Sequence, residues 1–237
     1  MFSRIAFPVY ILLLSLLTFY LSRFPGHNGD MPYYIACAIE KDQGSMDSVT
    51  KQTLEILQKE LPAQEYNVHA QRFSETDPEI LERYRIKPFY ILVVLALHKL
   101  GFSYILATVL PSLICYFLIG LSVWQILVRH MDPVSAFLVG MTCMVIYPTL
   151  LLARLSSPDS ISCFILLNAF SLIYNGRNKP VWYSLFLFAL IVRPDNLVAE
   201  IVFLAALWKW PATNFNNKLD SKSFAYLSMI LVVWPAW

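Results

Sequence analysis

The sequence has few charged residues, since Asp, Glu, Lys and Arg make up 14% of its 237 positions, against about 25% in soluble domains. It also has no cluster of Lys or Arg, and its formal net charge is only +2. Because proteins bind nucleic acid through arrays of basic side chains, nucleic acid is excluded as a partner. The shortage of charge and the 57% of hydrophobic residues predict an integral membrane protein that contacts membrane lipids.

The sequence also lacks the usual metal-binding patterns. Its four cysteines form no CxxC pair and mostly lie in apolar runs, so neither a disulfide framework nor a zinc site is indicated. Its four histidines are scattered, and no histidine-based nucleophile or two-metal centre is predicted. These absences argue against a membrane phosphatase or hydrolase. No cofactor is predicted, although a divalent metal ion stays open.

Long apolar runs are what the sequence has in abundance. A bilayer core of about 30 Å needs about 20 apolar residues as a helix, and fewer where a span packs against neighbours. We predict an all-α, multi-span helical bundle forming one domain over residues 1–237, with spans near 5–22, 104–128, 133–153, 159–175, 181–193, 196–210 and 223–237. The first run could also be a signal peptide, but no small-x-small cleavage site follows it, which favours an uncleaved anchor. The last run is short, so truncation at the C-terminus stays open.

The positions of Lys and Arg predict the orientation, because cytoplasmic loops of membrane proteins retain these residues. With the N-terminus inside, the inner positions are Arg4, Arg129, Arg177, Lys179, Lys209, Lys218 and Lys222, and the short outer connections keep Arg154 and Arg193, besides Arg23. Residues 24–103, which hold 19 of the 34 charged residues, then form a large loop on the outer face.

Two helices are predicted within this loop. Apolar residues recur at helical intervals over residues 45–61, which predicts a surface helix that Pro62 ends. Ser45 and Asp47 are its candidate caps. The apolar stretch 89–100 is only about 12 residues long, a length typical of interfacial elements, and it is predicted to lie on the outer membrane surface.

Three carboxylates from separate parts of the chain, Asp30, Asp159 and Asp195, are predicted to reach the outer face. The basic residues predicted there are Arg83, Arg85, Lys87, Arg154 and Arg193. Charged groups at membrane depth are costly unless they are paired, so by default they mark a functional cavity.

Each of these residues also has a purely structural interpretation. The order Ser157-Pro158-Asp159 is typical of a helix N-terminus, and Pro194-Asp195 can start a helix in the same way. Asp30 could merely end a turn before the next helix. Arg193 could pair with Asp195 or extend to the membrane interface.

Four segments together resemble a known family. They are Gly29-Asp-Met-Pro-Tyr-Tyr-Ile-Ala-Cys-Ala38, Arg83-Tyr-Arg-Ile-Lys87-Pro88-Phe, Arg154-Leu-Ser-Ser-Pro-Asp159 and Val192-Arg-Pro-Asp195-Asn. Their order resembles that of GT-C glycosyltransferases, in particular the branch with the protein O-mannosyltransferases and the lipid A aminoarabinose transferases. The resemblance spans nearly the whole chain and rests on order and spacing.

The resemblance implies inverting transfer of a sugar from a polyprenyl-phosphate donor to a lipid, glycan or protein acceptor. The chain is predicted to be a multi-pass plasma membrane protein, with the active site facing outward as the Lys and Arg bias predicts. The absence of any Asn-x-Ser/Thr site favours a bacterial membrane. Asp30 matches the catalytic acid of the family, which acts as a base on the acceptor hydroxyl or orients it. Lys87, with Arg85 or Arg193, would hold the phosphate, and Asp159 would support the cavity. The other predicted substrate-binding residues are Tyr33, Tyr34 and Asp195.

Two alternatives stay open. Asp30 is followed by Met31 where many family members have Asp-Glu, so the chain could be an inactive relative. It could also be a non-catalytic membrane protein, either a transporter or an assembly factor. A transporter should have paired broken helices near the bilayer midplane, whereas the ionisable residues of this chain are predicted at span ends.

Overall fold

The computed structural model describes residues 2–43, 48–74, 79–174, 179–198, 200 and 201. In these ranges the chain forms helices and one isolated β-bridge. The helices are α1 (Phe2–Ser22), α2 (Met31–Gln43), α3 (Val49–Glu60), α4 (Ala63–Ser74), α5 (Glu79–Arg85), α6 (Pro88–Lys99), α7 (Tyr104–Leu127), α8 (Pro133–Val145), α9 (Tyr147–Arg154), α10 (Asp159–Tyr174) and α11 (Lys179–Val192). The predicted span 223–237 and nearly all of 196–210 lie outside the described residues.

Two helices are long and apolar enough to cross a membrane, and both were predicted. One is the stretch Ile5–Ser22 of α1, and the other is α7. They differ in their surroundings, since α7 is mostly buried whereas α1 exposes large apolar side chains such as Leu12, Phe19 and Tyr20. Exposed apolar side chains in such number are costly in water, so they fit contact with lipid tails.

The predicted span 133–153 is not one straight helix. It is divided into α8 and α9, whose axes are bent by 61°. Ile146 lies between them in an extended conformation, and Pro148 occupies the first turn of α9. Proline has no N–H to continue the hydrogen bonding of α8, and it is tolerated in a first turn, so the break falls just before it. If the bent pair counts as one span, there are three candidates in the described chain.

Two further predicted spans are apolar helices with nearly the expected bounds. They are α10, with 16 residues, and α11, with 14 residues. A perpendicular helix needs about 20 residues to cross the bilayer core, so both are short for a full crossing. Five spans were predicted in the described part of the chain, and the structure contains two or three helices of sufficient length there.

Consecutive long helices alternate in direction. Near one end of the bundle, Tyr10 of α1 donates a hydrogen bond of 2.9 Å to the Gly120 carbonyl of α7, and its ring lies 5.0 Å from that of Trp124. At the opposite end, the chain after α1 bonds to the last residue of α9, where the Gly26 N–H donates to the Arg154 carbonyl at 3.0 Å. The segment that leads to α10 therefore begins at the same end as the segment after α1.

The region between α1 and α7 forms five helices. In α2, every residue from Met31 to Ile39 is buried. Helix α3 begins at Val49, later than predicted, and Ser48 at its N-cap makes no side-chain capping bond. The predicted caps Ser45 and Asp47 lie outside the described residues. Helix α3 ends at Glu60, just before Pro62, as predicted.

Helix α6 agrees with the predicted 12-residue apolar helix and is not among the candidate spans. It packs against α2, α7 and α11. The turn from α6 to α7 contains Gly101 with a φ of +98°, a conformation that side chains with a Cβ rarely adopt. This turn returns the chain sharply, so that Tyr90 of α6 reaches α7 and donates to the Thr108 carbonyl at 2.6 Å.

Candidate functional site

Asp30 lies at the start of α2 and performs two tasks. Its backbone carbonyl accepts hydrogen bonds from the N–H groups of Tyr33 and Tyr34, which begins the helix. Its carboxylate points elsewhere and accepts a hydrogen bond of 2.7 Å from the Tyr84 hydroxyl of α5. The structural interpretation of Asp30 therefore accounts for its backbone, whereas its side chain joins a cluster with a residue 54 positions away.

Lys87 is held by the same aromatic cluster. Its ammonium group donates to the Tyr34 hydroxyl at 3.0 Å and lies 5.5 Å from the ring centroids of both Tyr34 and Tyr84. Such cation–π contacts stabilise a cation without neutralising it. Among the described residues, Lys87 forms no salt bridge. Its positive charge is thus available to an anion.

The local sequence explains this position of Lys87. Pro88 is the first residue of α6, where its missing N–H and fixed φ suit a helix start. Lys87 precedes it with a non-helical backbone. Tyr84 lies three residues earlier at the end of α5, and the turn is closed by the Lys87 N–H donating to the Tyr84 carbonyl at 3.1 Å. The tyrosine ring and the ammonium group are therefore positioned by the same turn.

A second set of charges comes from α10 and the end of α11. The Arg193 guanidinium forms ion pairs with Asp159 and, at 2.6 Å, with Asp195. The Asp159 carboxylate also accepts a bond of 3.0 Å from the Ser157 hydroxyl. Ser157 thus donates to a side chain rather than accepting from the first turn as a cap. Pairing of Arg193 with Asp195 was one of the interpretations considered from the sequence, and the structure adds Asp159 as a second partner.

We call Asp30, Tyr34, Tyr84 and Lys87 the Asp30 half, and Ser157, Asp159, Arg193 and Asp195 the Asp159 half. The buried Tyr34 phenol lies near the carboxylates of both halves. Burial raises the pKa of the Tyr34 phenol well above its ordinary value, and the negative charges of Asp30 and Asp159 add to this effect. Tyr90, which packs edge-on to Tyr34 at 4.7 Å between ring centroids, has its pKa raised by burial and by the same two carboxylates. The two acids therefore act on the same buried hydroxyls.

Asp30 and Lys87 thus share one aromatic core, and the Asp159 carboxylate is close enough to contribute to the raised pKa of its Tyr34 and Tyr90 phenols. A cavity shared by Asp30, Lys87 and Asp159 stays a prediction. Tyr33 belongs to the same core, because its ring stacks on that of Tyr84 at 4.7 Å. Arg85 is placed differently. Its guanidinium bonds to Glu40 at 2.7 Å and to Glu82, so two carboxylates already balance its charge. Because Glu40 lies six residues after Tyr34, this pair lies about 9 Å further along α2.

Two residues of the core, Tyr84 and Tyr90, were not among the predicted site residues. A signal for both was present, since they lie three residues before and after Lys87, about one helical turn away. The break between α5 and α6 hid it, because the chain is not continuously helical from one tyrosine to the other.

No metal centre is visible in the described chain, in which no group of three or more His, Cys, Asp or Glu side chains is arranged to hold a metal ion. The divalent metal left open from the sequence therefore gains no support from these side chains.

Comparison with known proteins gives no family to which the chain could be assigned. No protein-family model matches it, and no curated protein sequence or solved structure is significantly similar to it. The geometry of the site carries the functional argument on its own.

Proposed function

We propose that this chain is a membrane glycosyltransferase that moves a sugar from a polyprenyl-phosphate donor to a hydroxyl acceptor at the outer face of a bacterial plasma membrane. The single observation that carries the proposal is the Lys87 ammonium group, which forms no salt bridge within the described residues and is held near a carboxylate in an aromatic core. A phosphate leaving group needs a cation, and a hydroxyl nucleophile needs a base. One small region offers both.

The two cations of the site suit different tasks. Arg193 is neutralised by two carboxylates, so it offers little net charge to a phosphate. Lys87 has none within salt-bridge distance in the described chain, although its charge acts on the nearby Asp159 carboxyl, so an anionic lipid headgroup could become its direct ion-pair partner. The apolar helices around the site fit a donor whose long hydrocarbon tail stays in the bilayer while its headgroup reaches this cluster.

In the proposed reaction the Asp30 carboxylate accepts the proton of the acceptor hydroxyl. The freed oxygen attacks the anomeric carbon of the sugar, and the bond from that carbon to the phosphate oxygen breaks. The polyprenyl phosphate leaves with the electron pair of this bond, and the Lys87 ammonium group stabilises its charge. Attack opposite the leaving group inverts the configuration at the anomeric carbon.

The proposal is tested with Asp30→Asn in the full-length protein, by measuring transfer of labelled sugar from polyprenyl phosphate in membranes. We expect transfer to fall at least about 100-fold, because general-base catalysis contributes about 10²–10⁴-fold. The matched control is Asp42→Asn, the same change on the same helix at a residue that pairs with Lys99 at 2.7 Å. Unchanged transfer in Asp30→Asn would remove Asp30 from the mechanism, and absence of transfer by the wild type from every polyprenyl-phosphate donor would remove the proposal.

The bent pair α8–α9 gives a transporter some support, because broken helices are typical of transporters. However, the residues at this break, Val145, Ile146 and Tyr147, carry no charge that could bind a coupling ion or an ionic substrate. The carboxylates and cations of the candidate site lie instead near the bridge at one end of the bundle, which favours the transferase.

A further inference from the structure

Two chain segments run side by side where α1 and α9 end. Gly26 and Leu155 form an isolated parallel β-bridge. The Gly26 N–H donates to the Arg154 carbonyl at 3.0 Å, and the Nε of Arg154 donates to the Phe24 carbonyl at 2.6 Å. Arg154 therefore joins the two segments through both its backbone and its side chain.

Both segments lead to an acid of the site after the same number of residues. In a parallel bridge the two chains leave in the same direction. Asp30 follows Gly26 by four positions, and Asp159 follows Leu155 by four positions. A slip of one residue in this register would move one carboxylate relative to the other by about 3.3 Å.

The second segment is fixed to the central helix α7. The Ser112 hydroxyl donates to the Leu155 carbonyl at 2.6 Å, and the Thr108 hydroxyl donates to that of Ser156 at 3.1 Å. Thr108, Ser112 and Ser156 are fully buried. Because a buried polar group left unpaired costs about 1–3 kcal/mol, these bonds hold the segment firmly. The segment after α1 is thus registered against a rigid neighbour.

We propose that Arg154 is a positioning residue that sets the separation of Asp30 and Asp159, and that it does so by its directed hydrogen bond rather than by its charge. This inference rests on the proposed function. The bonds of Arg154 in the described chain go to backbone groups of Phe24 and Gly26, so it acts on the two acids through the bridge. Catalytic groups must be held within about 0.5 Å, and a displacement of about 1 Å can lower a rate 100-fold.

Two substitutions separate hydrogen bonding from charge. In Arg154→Gln the amide nitrogen stands as many bonds from the backbone as Nε does, so a donor is kept and the charge is lost. In Arg154→Lys the charge is kept, but a methylene group stands at that place. Arg23→Gln is the matched control, because Arg23 is an exposed arginine that lies over the Phe19 ring in the same region.

We expect Arg154→Ala and Arg154→Lys to lower kcat of sugar transfer about 10- to 100-fold, with KM for the polyprenyl-phosphate donor unchanged. Arg154→Gln should retain most of the wild-type kcat, and Arg23→Gln should retain all of it. A purely structural role would lower the amount of folded protein without separating kcat from KM. Recovery by lysine and not by glutamine would overturn the proposal in favour of a charge effect.

A second measurement needs no transfer activity. Cysteines introduced as Gly26→Cys and Leu155→Cys would stand at about the 4.8 Å spacing of neighbouring strands, which lies within disulfide reach. Under mild oxidation of the full-length protein in membranes, we expect cross-linking with Arg154 and with Arg154→Gln, and several-fold less with Arg154→Ala or Arg154→Lys. Equal cross-linking in all four would contradict the register role. If the wild type transfers no sugar the proposed function fails, and cross-linking alone then decides whether Arg154 sets the register.

Discussion

The Asp30 half and the Asp159 half of the site contain the same chemical groups, a carboxylate and a cation, in opposite states of pairing. In the Asp159 half, Arg193 bonds directly to two carboxylates. In the Asp30 half, Lys87 and Asp30 each bond to a tyrosine hydroxyl instead, and the Tyr84 side chain contacts both. The first arrangement joins α10 to the segment after α11, and the second leaves a cation and a carboxylate without a salt-bridge partner among the described residues.

This difference suggests that charged residues at the end of the bundle can serve either to stabilise the fold or to bind an anion. A neutralised pair tolerates partial burial better than a lone charge, since each partner offsets part of the desolvation cost of the other. Burial still raises the pKa of Asp159, and the Arg193 charge opposes that rise. An unneutralised cation beside aromatic faces retains its field, which extends further where water is excluded. Substitutions in the two halves should therefore affect different measurements, stability in one and transfer in the other.

The largest effect is expected on stability from Arg193→Ala. This substitution leaves Asp159, whose side chain is only 16% exposed, without its counter-charge. We expect the free energy of unfolding in detergent to fall by about 3–5 kcal/mol. Adding Asp159→Asn should recover much of this loss. The control Lys51→Ala removes an exposed pair with Glu55 and should cost less than about 1 kcal/mol. A stable Arg193→Ala protein with lost transfer would reverse the assignment of the two halves.

The next effect is expected on transfer from Lys87→Met. Removing the cation should lower kcat/KM for the polyprenyl-phosphate donor about 100-fold, by analogy with the loss of one group that stabilises a developing anion. Stability should change by no more than about 1 kcal/mol, because only cation–π contacts and one hydrogen bond to Tyr34 are lost. Transfer rates and thermal unfolding are measured on the same preparation. If Lys87→Met lowers the thermal stability and leaves the transfer rate unchanged, Lys87 stabilises the fold as Arg193 does and does not bind the donor.

A smaller effect is expected from Tyr84→Phe, which keeps the ring beside Lys87 and removes the hydroxyl that donates to Asp30. A hydrogen bond to a charged group contributes about 1.5–3 kcal/mol. We expect kcat to fall about 10-fold with KM for the donor unchanged. Tyr20→Phe, the same change at an exposed position of α1, is the control. An increase in KM with kcat unchanged would show that the hydroxyl serves donor binding instead.

The smallest effect concerns α4, whose Phe73 ring packs against that of Tyr33 at 5.3 Å between ring centroids. His69 of α4 is buried beside His27, three residues before Asp30, and burial lowers the pKa of His69, with His27 adding to the effect. A histidine with a lowered folded-state pKa binds fewer protons than the unfolded chain, so stability is fully present above the unfolded pKa, about 6.5, and is lost as the pH falls below it. Thermal unfolding at pH 7.5 and 5.5 should show this loss. His69→Gln should reduce it, and an unchanged loss in this variant would place the titration elsewhere.

Much of the fold could be predicted because a long run of apolar residues can be recognised in the sequence without knowing its tertiary contacts. The apolar runs that became α1 and α7 are long and continuous, so their limits agree with the structure within a few residues. The break before Pro148 was not predicted, since 133–153 was expected to be one span, and the two helices at this break, bent by 61°, pack against α1 and α7. The spacing of apolar residues along the sequence does not predict how these helices pack against one another.

The meeting of two chain segments could be predicted from the sequence, whereas the pairing of their charges could not. Alternating helices bring the segments after α1 and after α9 to one end of the bundle, where Gly26 and Leu155 form a bridge. Whether Arg85 or Lys87 forms a salt bridge depends on contacts shorter than 4 Å, which the sequence does not reveal. Arg85 and Lys87 look alike two positions apart in the sequence, yet the structure gives Arg85 the carboxylates of Glu40 and Glu82 and gives Lys87 two tyrosines.

The sequence by itself determined that this chain is helical, apolar and interrupted by one charged region, because burial of apolar surface follows from composition and spacing. Only the tertiary structure decided that Arg193 is neutralised, that Tyr84 connects Asp30 with Lys87, and that Arg154 joins the two segments leading to the acids. The physical reason is range: hydrophobic burial acts along a whole helix face, whereas hydrogen bonds and ion pairs depend on fractions of an ångström between residues far apart in the chain.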